Sequence, residues 1–325
     1  MEKRYDIFGL SNTLMDFLIK VDDEDLEFME LKKGMMHLID EKKAHNLIDK
    51  YKDFKIVPAG AVTNTLMGIS VLGGKSVLCG NVGYGEFGEL FKQKIVEEGV
   101  ISRLNISKSE KTGKVLSFVT PDAERTFGVY LGAAVTLDKS RIQKEDIVNS
   151  KIFYFTGYEL EALHDGVIES INVAKENGVL VGMDLADPGI IERNFDKIKG
   201  IINDIDVLFM NENEAKAYTG FEPEKAAETL GKFVKTVVAK VGEDGSIIIN
   251  DGKKYLIEPF KVIAVDTTGA GDLFAAGFLY ALVNGKSIEE AGKLGSYMGA
   301  KIVSQMGALL SVQAKVDVVK MLESN

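Results

Sequence analysis

The sequence predicts an α/β protein with a mostly parallel central sheet, helices on both faces and a small second β-sheet that forms a lid. Short apolar runs that end in glycine or small polar residues alternate with segments whose apolar residues recur every three or four positions. Strands and helices that alternate in this way form parallel sheets covered on both sides. No linker or repeat divides the 325 residues, so we expect a single domain over residues 1–325.

The strands are predicted where β-branched and aromatic residues form short runs. In chain order these runs are Tyr5–Leu10, Ile56–Pro58, Ser76–Gly80, Val115–Thr120, Ile152–Thr156, Val179–Asp184, Val207–Met210, Thr236–Lys240, Ser246–Asn250 and Lys254–Pro259. Helices are predicted where the apolar spacing is three or four. They cover Lys42–Tyr51, Val62–Leu72, Glu86–Glu98, Asp165–Asn177, Glu212–Gly220, Glu224–Lys235 and Ser287–Gln305, the last of which begins with a capping box at Ser287 and Glu290.

Two segments, residues 13–39 and 112–132, break the alternation. The first contains the short runs Phe17–Val21 and Met35–Leu38, and the second contains Lys114–Thr120 and Arg125–Leu131. We expect these runs to pair as a small sheet of their own. Such a sheet, lying over the carboxyl ends of the main strands, would be a lid that excludes water. The alternative is a pair of edge hairpins without a function.

Composition limits the classes of function. The formal net charge is −10, which argues against nucleic acid or an anionic membrane as the main partner, because both need clustered lysine and arginine. With one cysteine, Cys79, and three separated histidines, the chain offers neither a disulfide framework nor the usual zinc ligands. We find no signal-peptide pattern and no apolar run long enough to span a bilayer, so we expect a cytoplasmic protein.

The motif Asp266-Thr-Thr-Gly-Ala-Gly-Asp272 is the strongest functional signal. It lies between Tyr255–Val265, which has strand character, and Leu273–Val283, which has helix character. The first amides of a helix are unpaired and partly positive, and the glycines of the motif let a phosphate approach them. An aspartate beside such an anion site has a role if it accepts a hydroxyl proton during phosphoryl transfer, and the helix N-terminus predicts that it is a weak base. The alternative is an N-cap beside a flexible loop.

A second motif, Gly83-Tyr-Gly-Glu-Phe-Gly88, matches the dinucleotide fingerprint G-x-G-x-x-G. Dinucleotide folds place this turn after their first strand and an acidic residue about 20 positions later. Here at least two strands precede the turn, and Lys108–Glu110 is predicted to be a polar loop. A tight strand-to-helix turn is therefore favoured over NAD or flavin binding.

Polar residues at other strand ends are candidates for binding. Asn211 and Glu214 begin a helix, and an amide and a carboxylate three positions apart share one helix face. They either hold the water shell of a Mg²⁺ that bridges phosphates or cap the helix. Asp16 and Asn64 follow early strands and suit vicinal sugar hydroxyls, with turn and cap roles as the alternative.

Apolar side chains are candidates for an acceptor slot. Tyr154, Phe155 and Tyr158 lie on and after one predicted strand, and Met35 and Met36 lie in the lid. Most aromatic residues of this kind belong to the core, but any that line the cleft would form a flat surface for a sugar or a base.

Four motifs occur together in one order and spacing: Gly60 with Asn64, the glycines of residues 80–88, Asn211 with Glu214, and Asp266–Asp272. In this combination the chain resembles the PfkB (ribokinase-like) kinases over nearly its whole length. The resemblance implies a ribokinase-like fold and transfer of the γ-phosphoryl group of ATP, with Mg²⁺, to a primary hydroxyl. The chain departs from the family pattern where the usual Gly-Gly of the sugar-side turn is Gly60-Ala61.

The resemblance also implies roles for single residues. Asp272 is the catalytic base, and the main-chain N–H groups of Gly269, Ala270 and Gly271 hold the transferring phosphate. The acceptor is bound by Asn12, Asp16, Gly60, Asn64 and the lid residue Arg125. ATP is bound by Asn211, Glu214, Lys240, Gly242, Gly245, Thr268 and Ser296, and the first two also organise Mg²⁺ through water. A monovalent-cation loop that takes K⁺ is matched by Asp266, Thr268 and Ser311, with Gly307.

Three stretches, residues 123–133, 155–158 and 272–280, look most like the bacterial adenosine-kinase-like branch of this family. A nucleoside acceptor, adenosine first, is therefore favoured over a free sugar such as ribose, fructose or a keto-deoxy sugar acid. Exposed lid strands could pair between copies of the chain, so we expect a monomer or a homodimer. A ligand sensor without catalysis and an NAD-dependent enzyme are the competing functions.

Overall fold

The computed structural model describes residues 3–122 and 124–323, so Ala123 of the second lid segment lies outside the described residues. Within these ranges the strands are β1 (Tyr5–Leu10), β2 (Leu14–Lys20), β3 (Met36–Leu38), β4 (Phe54–Ala59), β5 (Ser76–Gly83), β6 (Ile101–Ser107), β7 (Gly113–Val119), β8 (Arg125–Tyr130), β9 (Ser150–Thr156), β10 (Leu180–Asp184), β11 (Val207–Asn211), β12 (Thr236–Lys240), β13 (Ser246–Asn250) and β14 (Lys253–Ile257). The α-helices are α1 (Asp23–Phe28), α2 (Glu41–Lys50), α3 (Ala61–Val71), α4 (Glu86–Glu97), α5 (Lys144–Val148), α6 (Gly157–Ala162), α7 (His164–Glu176), α8 (Pro188–Ile201), α9 (Glu212–Thr219), α10 (Pro223–Leu230), α11 (Ala270–Val283), α12 (Ile288–Val303) and α13 (Val312–Glu323).

The large sheet has the strand order β14-β13-β12-β11-β10-β9-β1-β5-β6. From β6 to β12 neighbouring strands run parallel, and β13 and β14 continue the sheet as an antiparallel hairpin at one edge. The strand order changes direction at β1, which lies between β5 and β9. In open parallel sheets the carboxyl ends of the strands at such a switch point form a crevice, so a ligand site is expected there.

The central strands contribute side chains to two cores in turn, because successive residues of a strand point to opposite faces. In β1, Ile7 packs into one core and Phe8 into the other, and both are fully buried. Strand β9 repeats the pattern, with Ile152 and Tyr154 on the first side and Phe153 on the second. Helices α3, α4, α11, α12 and α13 cover the first face, and α5 to α10 cover the second.

Helix α11 lies at the centre of the first layer, between α3 and α12. Residues 273–279 are all buried, as a helix that is apolar on every side must be. Gly277 permits the close crossing with α12, because a Cβ there would lie 2.6 Å from the main-chain oxygen of Leu294. This packing holds the beginning of α11 against Lys240, the last residue of β12.

The small sheet has the order β3-β8-β7-β2-β4 and includes strands from both predicted lid segments. One of its faces is packed: Phe17 contacts Phe87 of α4, and Phe118 contacts Tyr51, which follows α2. The opposite face carries Asp16 and Ser117, which are hydrogen-bonded to each other. The run Ile56–Pro58 belongs to this sheet as part of β4, and its assignment to the parallel alternation was wrong.

The strand predicted over Tyr255–Val265 ends at Ile257, so no strand leads directly into the glycine-rich motif. Pro259 has no N–H for a sheet hydrogen bond. Further on, Val265 and Asp266 donate to the main-chain oxygen of Val303 and not to a neighbouring strand. The segment between β14 and α11 therefore crosses from the edge of the sheet to its centre.

Other element predictions agree with the structure to within a few residues, and the capping box at Ser287 and Glu290 is confirmed. Strand β6 and helices α1, α5, α6, α8 and α13 have no counterpart among the predictions. Helix α8 is interrupted at Asn194, where φ is −121° and ψ is 21°, and this break disturbs the regular apolar spacing. None of the helices in residues 3–122 and 124–323 is both long and apolar enough to cross a membrane.

Candidate active site

Four neighbouring strands of the large sheet end in polar residues: Thr156 on β9, Asp184 on β10, Asn211 on β11 and Lys240 on β12. Helix α11 begins beside them, because Gly271 in its first turn lies against the ammonium group of Lys240. The fold therefore brings a helix N-terminus and several ionisable groups to the carboxyl ends of the parallel strands.

The main chain of residues 269–272 forms what we call the anion cradle. Gly269 precedes α11 with a φ of 79°, in the left-handed region that glycine occupies without strain. A Cβ on Gly271 would lie 3.0 Å from Nζ of Lys240, so a side chain there would have to displace the ammonium group from its ion pair with Asp184 by a few tenths of an ångström. Within the described ranges the N–H groups of Gly271 and Asp272 make no hydrogen bond, as expected in the first turn of a helix. These free donors suit a phosphate.

Asp272 is the third residue of α11. Its Oδ2 accepts a hydrogen bond of 2.8 Å from Nδ2 of Asn64 on α3. Burial raises the pKa of Asp272 to about 7, while Asn64 and Lys240 lower it and Asp184 raises it further. The sequence predicted a weak base, because a helix N-terminus stabilises a carboxylate. That prediction is wrong, because desolvation raises the pKa of Asp272 more than the stabilising groups around the carboxylate lower it.

Lys240 and Asp184 form an ion pair of 2.6 Å between the ends of β12 and β10. Their side chains are 15% and 8% exposed. Asp184 was not among the predicted site residues, although a carboxylate at the end of a predicted strand indicates a candidate. The ammonium group of Lys240 therefore lies at the anion cradle, and Asp184 on β10 holds it in position.

Asn211 and Glu214 form a reciprocal cap at the start of α9. Main-chain N and Nδ2 of Asn211 donate to the two carboxylate oxygens of Glu214 over 2.7 and 2.6 Å, and Oδ1 of Asn211 accepts from the N–H of Glu214 over 2.9 Å. The structure thus shows the capping contacts, and each carboxylate oxygen of Glu214 can still accept a further hydrogen bond from water. Burial raises the pKa of Glu214 to about 7, with Asp184 as a further cause.

The site fits a magnesium-bound nucleotide better than a metal held by protein alone. In residues 3–122 and 124–323, no three His, Cys, Asp or Glu side chains are arranged around one metal position. Asp184, Glu214 and Asp272 nevertheless interact electrostatically around the single ammonium of Lys240. This excess of negative charge suits a cation whose other ligands are water and phosphate oxygens.

The acceptor candidates lie around the end of β1. Asn12 and Asn64 each have a buried Oδ1 without a hydrogen-bond partner in the described part of the chain. The N–H of Asn12 donates to Oε1 of Glu159 over 2.8 Å, so Glu159 supports this loop from α6. Glu159 was not among the predicted site residues, although Thr156 and Glu159 have the spacing of a capping box. Two unsatisfied buried oxygens, one of them on the residue that binds Asp272, fit the hydroxyl donors of a sugar.

Asp16 lies within β2 of the small sheet and not in a turn after a strand. Its Oδ1 accepts a hydrogen bond of 2.6 Å from Oγ of Ser117, a residue that sequence analysis did not select. Burial raises the pKa of Asp16 to about 6, although Ser117 and Arg125 lower it. A second small-sheet residue, Arg125, donates through Nη2 to Oδ2 of Asp266 over 2.5 Å.

The turn at Gly60 explains the departure from the expected Gly-Gly pair. Gly60 has a φ of 123°, and a Cβ there would lie 2.3 Å from the main-chain oxygen of Asn12. Ala61 is the first residue of α3, where a side chain causes no conflict with helical geometry. Glycine is therefore required at the first position of this turn and not at the second.

The remaining predicted residues lie in turns and helices, where the structure shows local contacts. Gly242 begins a short 3₁₀ turn after β12, and Gly245 ends it with a φ of 93°. Thr268 donates its N–H to Asp266, and Oγ of Ser296 on α12 donates to the main-chain oxygen of Glu258 over 3.3 Å. Ser311 precedes α13 and accepts there from the N–H of Ala314.

The motif Gly83–Gly88 joins β5 to α4, as predicted for a strand-to-helix turn. A Cβ on Gly83 would lie 2.0 Å from the main-chain N of Thr112, next to the start of β7. This glycine therefore serves close packing between the two sheets. Tyr154 and Phe155 are fully buried core residues, whereas Tyr158 is only partly buried.

The cleft side of the small sheet is largely apolar. Paired residues in a sheet point to the same face, and Asp16 shares its row with Val115, Val129 and Leu38. The next row contains Leu18, Ser117, Phe127 and Met36. We call these six apolar residues the apolar cleft face: Leu18, Met36, Leu38, Val115, Phe127 and Val129. Leu38 and Met36 are 67% and 47% exposed, so part of this face is open to a ligand.

Comparison with known proteins places the chain among small-molecule kinases. Residues 32–315 match the pfkB family carbohydrate kinase. The chain is 31% identical to adenosine kinase from Dictyostelium discoideum over 93% of its own length and 95% of that protein. It is 28% identical to ribokinase from Haemophilus influenzae over 84% of its own length and 89% of that protein.

Solved structures of other proteins have the same fold as this chain. The structure of adenosine kinase from Sinorhizobium meliloti superposes with a TM-score of 0.90 and 29% identity, covering 99% of both chains. Because adenosine kinase and ribokinase both occur among the relatives, the comparisons leave the acceptor open between a nucleoside and a sugar.

Proposed function

The chain belongs to the pfkB family of carbohydrate kinases, and from this premise we propose that it phosphorylates the primary hydroxyl of a nucleoside, adenosine first. Membership makes it an ATP-dependent kinase that acts on a nucleoside or sugar hydroxyl, and the predicted ribokinase-like α/β fold with a second, smaller sheet is confirmed. Kinases of this family use ATP and Mg²⁺. The observation that carries the choice of a nucleoside is the apolar cleft face beside Asp16.

Asp272 accepts the proton of the attacking hydroxyl in this proposal. Asn64 holds Oδ2, so Oδ1 is left for the substrate. A pKa near 7 makes Asp272 a better base at neutral pH than an ordinary aspartate. Phosphoryl transfer through a loose transition state asks for positioning more than for a strong base, and the fixed carboxylate meets that need.

The anion cradle and Lys240 bind the transferring phosphoryl group. Free N–H groups at the start of α11 and one ammonium stabilise the charge on its oxygens. Magnesium, when bound with ATP, neutralises charge shared between the phosphates. Asn211 and Glu214 hold its water shell in this proposal, and Thr268, Gly242, Gly245 and Ser296 remain the proposed contacts to the rest of ATP.

The acceptor lies between the end of β1 and the small sheet. Asp16 and the unpartnered oxygens of Asn12 and Asn64 accept hydrogen bonds from ribose hydroxyls. The apolar cleft face then covers the base, which would remove the exposed surface of Leu38 and Met36 from water. A free sugar has no group that would cover the apolar cleft face. A sugar kinase is therefore the second candidate function, after a nucleoside kinase.

Steady-state kinetics with Mg-ATP and a panel of adenosine, other nucleosides, ribose, fructose and a keto-deoxy sugar acid tests the proposal. We expect kcat/KM for adenosine to exceed that for ribose by about 100-fold, the effect of burying one apolar ring face. Higher kcat/KM for a sugar would replace the nucleoside by that sugar. If nucleosides or sugars stabilise the protein thermally but no ADP forms with any of them, the chain is a ligand sensor and the kinase assignment fails.

The oligomeric state predicted is a monomer or a homodimer. In the small sheet β3 and β4 are edge strands, and β3 has only three residues. Light scattering at several protein concentrations tests this prediction, and a higher assembly would contradict it.

A further inference from the structure

Asp266 is a buried carboxylate that three parts of the chain bind at once. Its Oδ1 accepts from the N–H of Thr268 over 3.1 Å. Its Oδ2 accepts from the N–H of Gly307 over 2.6 Å and from Nη2 of Arg125 over 2.5 Å. The side chains of Arg125 and Asp266 are 9% and 6% exposed. A single carboxylate thus connects the small sheet, the loop before α11 and the turn after α12.

These contacts do not fit a monovalent cation at the same carboxylate. A cation beside Oδ2 would lie next to a guanidinium group and be repelled by it, strongly so in a buried position. Ser311, another candidate ligand, is also engaged: its Oγ accepts from the N–H of Ala314, and its N–H donates to Oε1 of Gln305. The protein therefore neutralises Asp266 with its own arginine.

We propose that Arg125 is a positioning residue that takes the place of a monovalent cation at Asp266, so that closure of the small sheet orders the anion cradle. This inference rests on the proposed kinase function. Arg125 is the first residue of β8, whereas Asp266 lies four residues before α11. The positive charge that fixes the loop leading into the cradle is consequently carried by the lid.

The guanidinium group also connects this pair to the acceptor site. Burial raises the pKa of Asp16, and the charge of Arg125 opposes that shift, so the two groups interact along the same face of the small sheet. Nη1 of Arg125 is buried without a hydrogen-bond partner in the described ranges. Because an unsatisfied buried donor is unfavourable, the closed position of Arg125 is complete only when a ligand oxygen accepts from Nη1. Lid closure and an occupied cleft therefore favour each other.

The test compares Arg125→Met with Arg103→Met. Arg103 on β6 forms an arginine–aspartate pair of the same 2.5 Å length with Asp146, away from the cleft, and is the matched control. Rates are measured in potassium chloride and in tetramethylammonium chloride at the same ionic strength, about 0.1 M. We expect wild type and Arg103→Met to differ less than about twofold between the salts. Arg125→Met should lose about 100-fold in kcat without K⁺ and recover about tenfold with it, with little change in acceptor KM.

Amide hydrogen exchange of residues 266–271 gives a readout that does not depend on catalysis. In Arg125→Met we expect exchange to be at least about tenfold faster than in wild type and to slow again with K⁺, because the loop has lost its counter-ion. Arg125→Lys, which keeps the charge, should show neither salt response. If no acceptor is phosphorylated, the proposed function fails while the exchange data still decide this inference. A wild-type enzyme that needs K⁺, or an Arg125→Met loop that ignores K⁺, would overturn it.

Discussion

Replacing Asp272 by asparagine should inactivate the enzyme and at the same time stabilise the fold above neutral pH. Asparagine keeps an oxygen that can accept the hydrogen bond from Asn64, so the local geometry is retained. It cannot accept a proton, and removal of a general base typically lowers kcat by about 10²–10⁴-fold. The same change removes a carboxylate that the fold desolvates.

The size and sign of the stability effect follow from the pKa of Asp272. Burial raises that pKa from 3.8 to about 7, and each pKa unit corresponds to about 1.4 kcal/mol, which sets an upper limit of about 4 kcal/mol. The side chain keeps partial contact with solvent, so we expect about half of this limit, ~2 kcal/mol. Because the folded state holds the proton more tightly than the unfolded state, the cost of Asp272 is absent below about pH 4 and complete above about pH 7.

Thermal unfolding at pH 5 and pH 8 measures this effect. At pH 8 the variant should unfold about 3 °C above wild type, and most of this difference should disappear at pH 5. Asp317→Asn is a control of opposite sign, since its hydrogen bond with Lys301 lowers the pKa of Asp317 and its loss should destabilise the protein at pH 8. An Asp272→Asn protein that is less stable than wild type at pH 8 would refute the argument that burial dominates this site.

Three further predictions concern the site. In a pH–rate profile, kcat/KM should rise through about pH 7, because Asp272 must lose its proton to act as a base, and a flat profile from pH 5 to 8 would contradict this role. Gly271→Ala should weaken ATP binding at least about tenfold in calorimetry, since the new Cβ would lie 3.0 Å from Nζ of Lys240. Gly200→Ala, at an open helical position, is the control. Equal effects of the two changes would contradict phosphate binding by the anion cradle. Leu38→Asp should lower kcat/KM about tenfold for a nucleoside but hardly for ribose, and an equal loss for both would remove the apolar cleft face from acceptor selection.

The sequence was sufficient for features that depend on short stretches of chain. Alternating strands and helices predicted the parallel sheet, and the two interrupting segments predicted the small sheet. The glycine-rich motif predicted that α11 begins next to Asp272, because a glycine turn and a helix start have local signatures. The function class followed from several such motifs in one order, and the match of residues 32–315 confirmed it.

Tertiary structure was needed wherever distant residues meet. Lys240 and Asp184 are 56 residues apart, and Arg125 and Asp266 are 141 residues apart, so no spacing in the sequence indicated either pair. Likewise, the sheet to which β4 belongs depends on its pairing with β2. An apolar run in the sequence does not indicate its pairing partner.

In the motif Asp266–Asp272, the local geometry was predictable from the sequence, whereas the charge environment was not. By itself the sequence determined which residues form the turn, the helix start and the carboxylate beside them. The ion pair of Asp266 with Arg125 of the small sheet, and the burial that raises the pKa of Asp272 to about 7, both depend on the tertiary structure. Local geometry depends on neighbours in the chain, whereas desolvation and charge pairing depend on everything packed around a group in space.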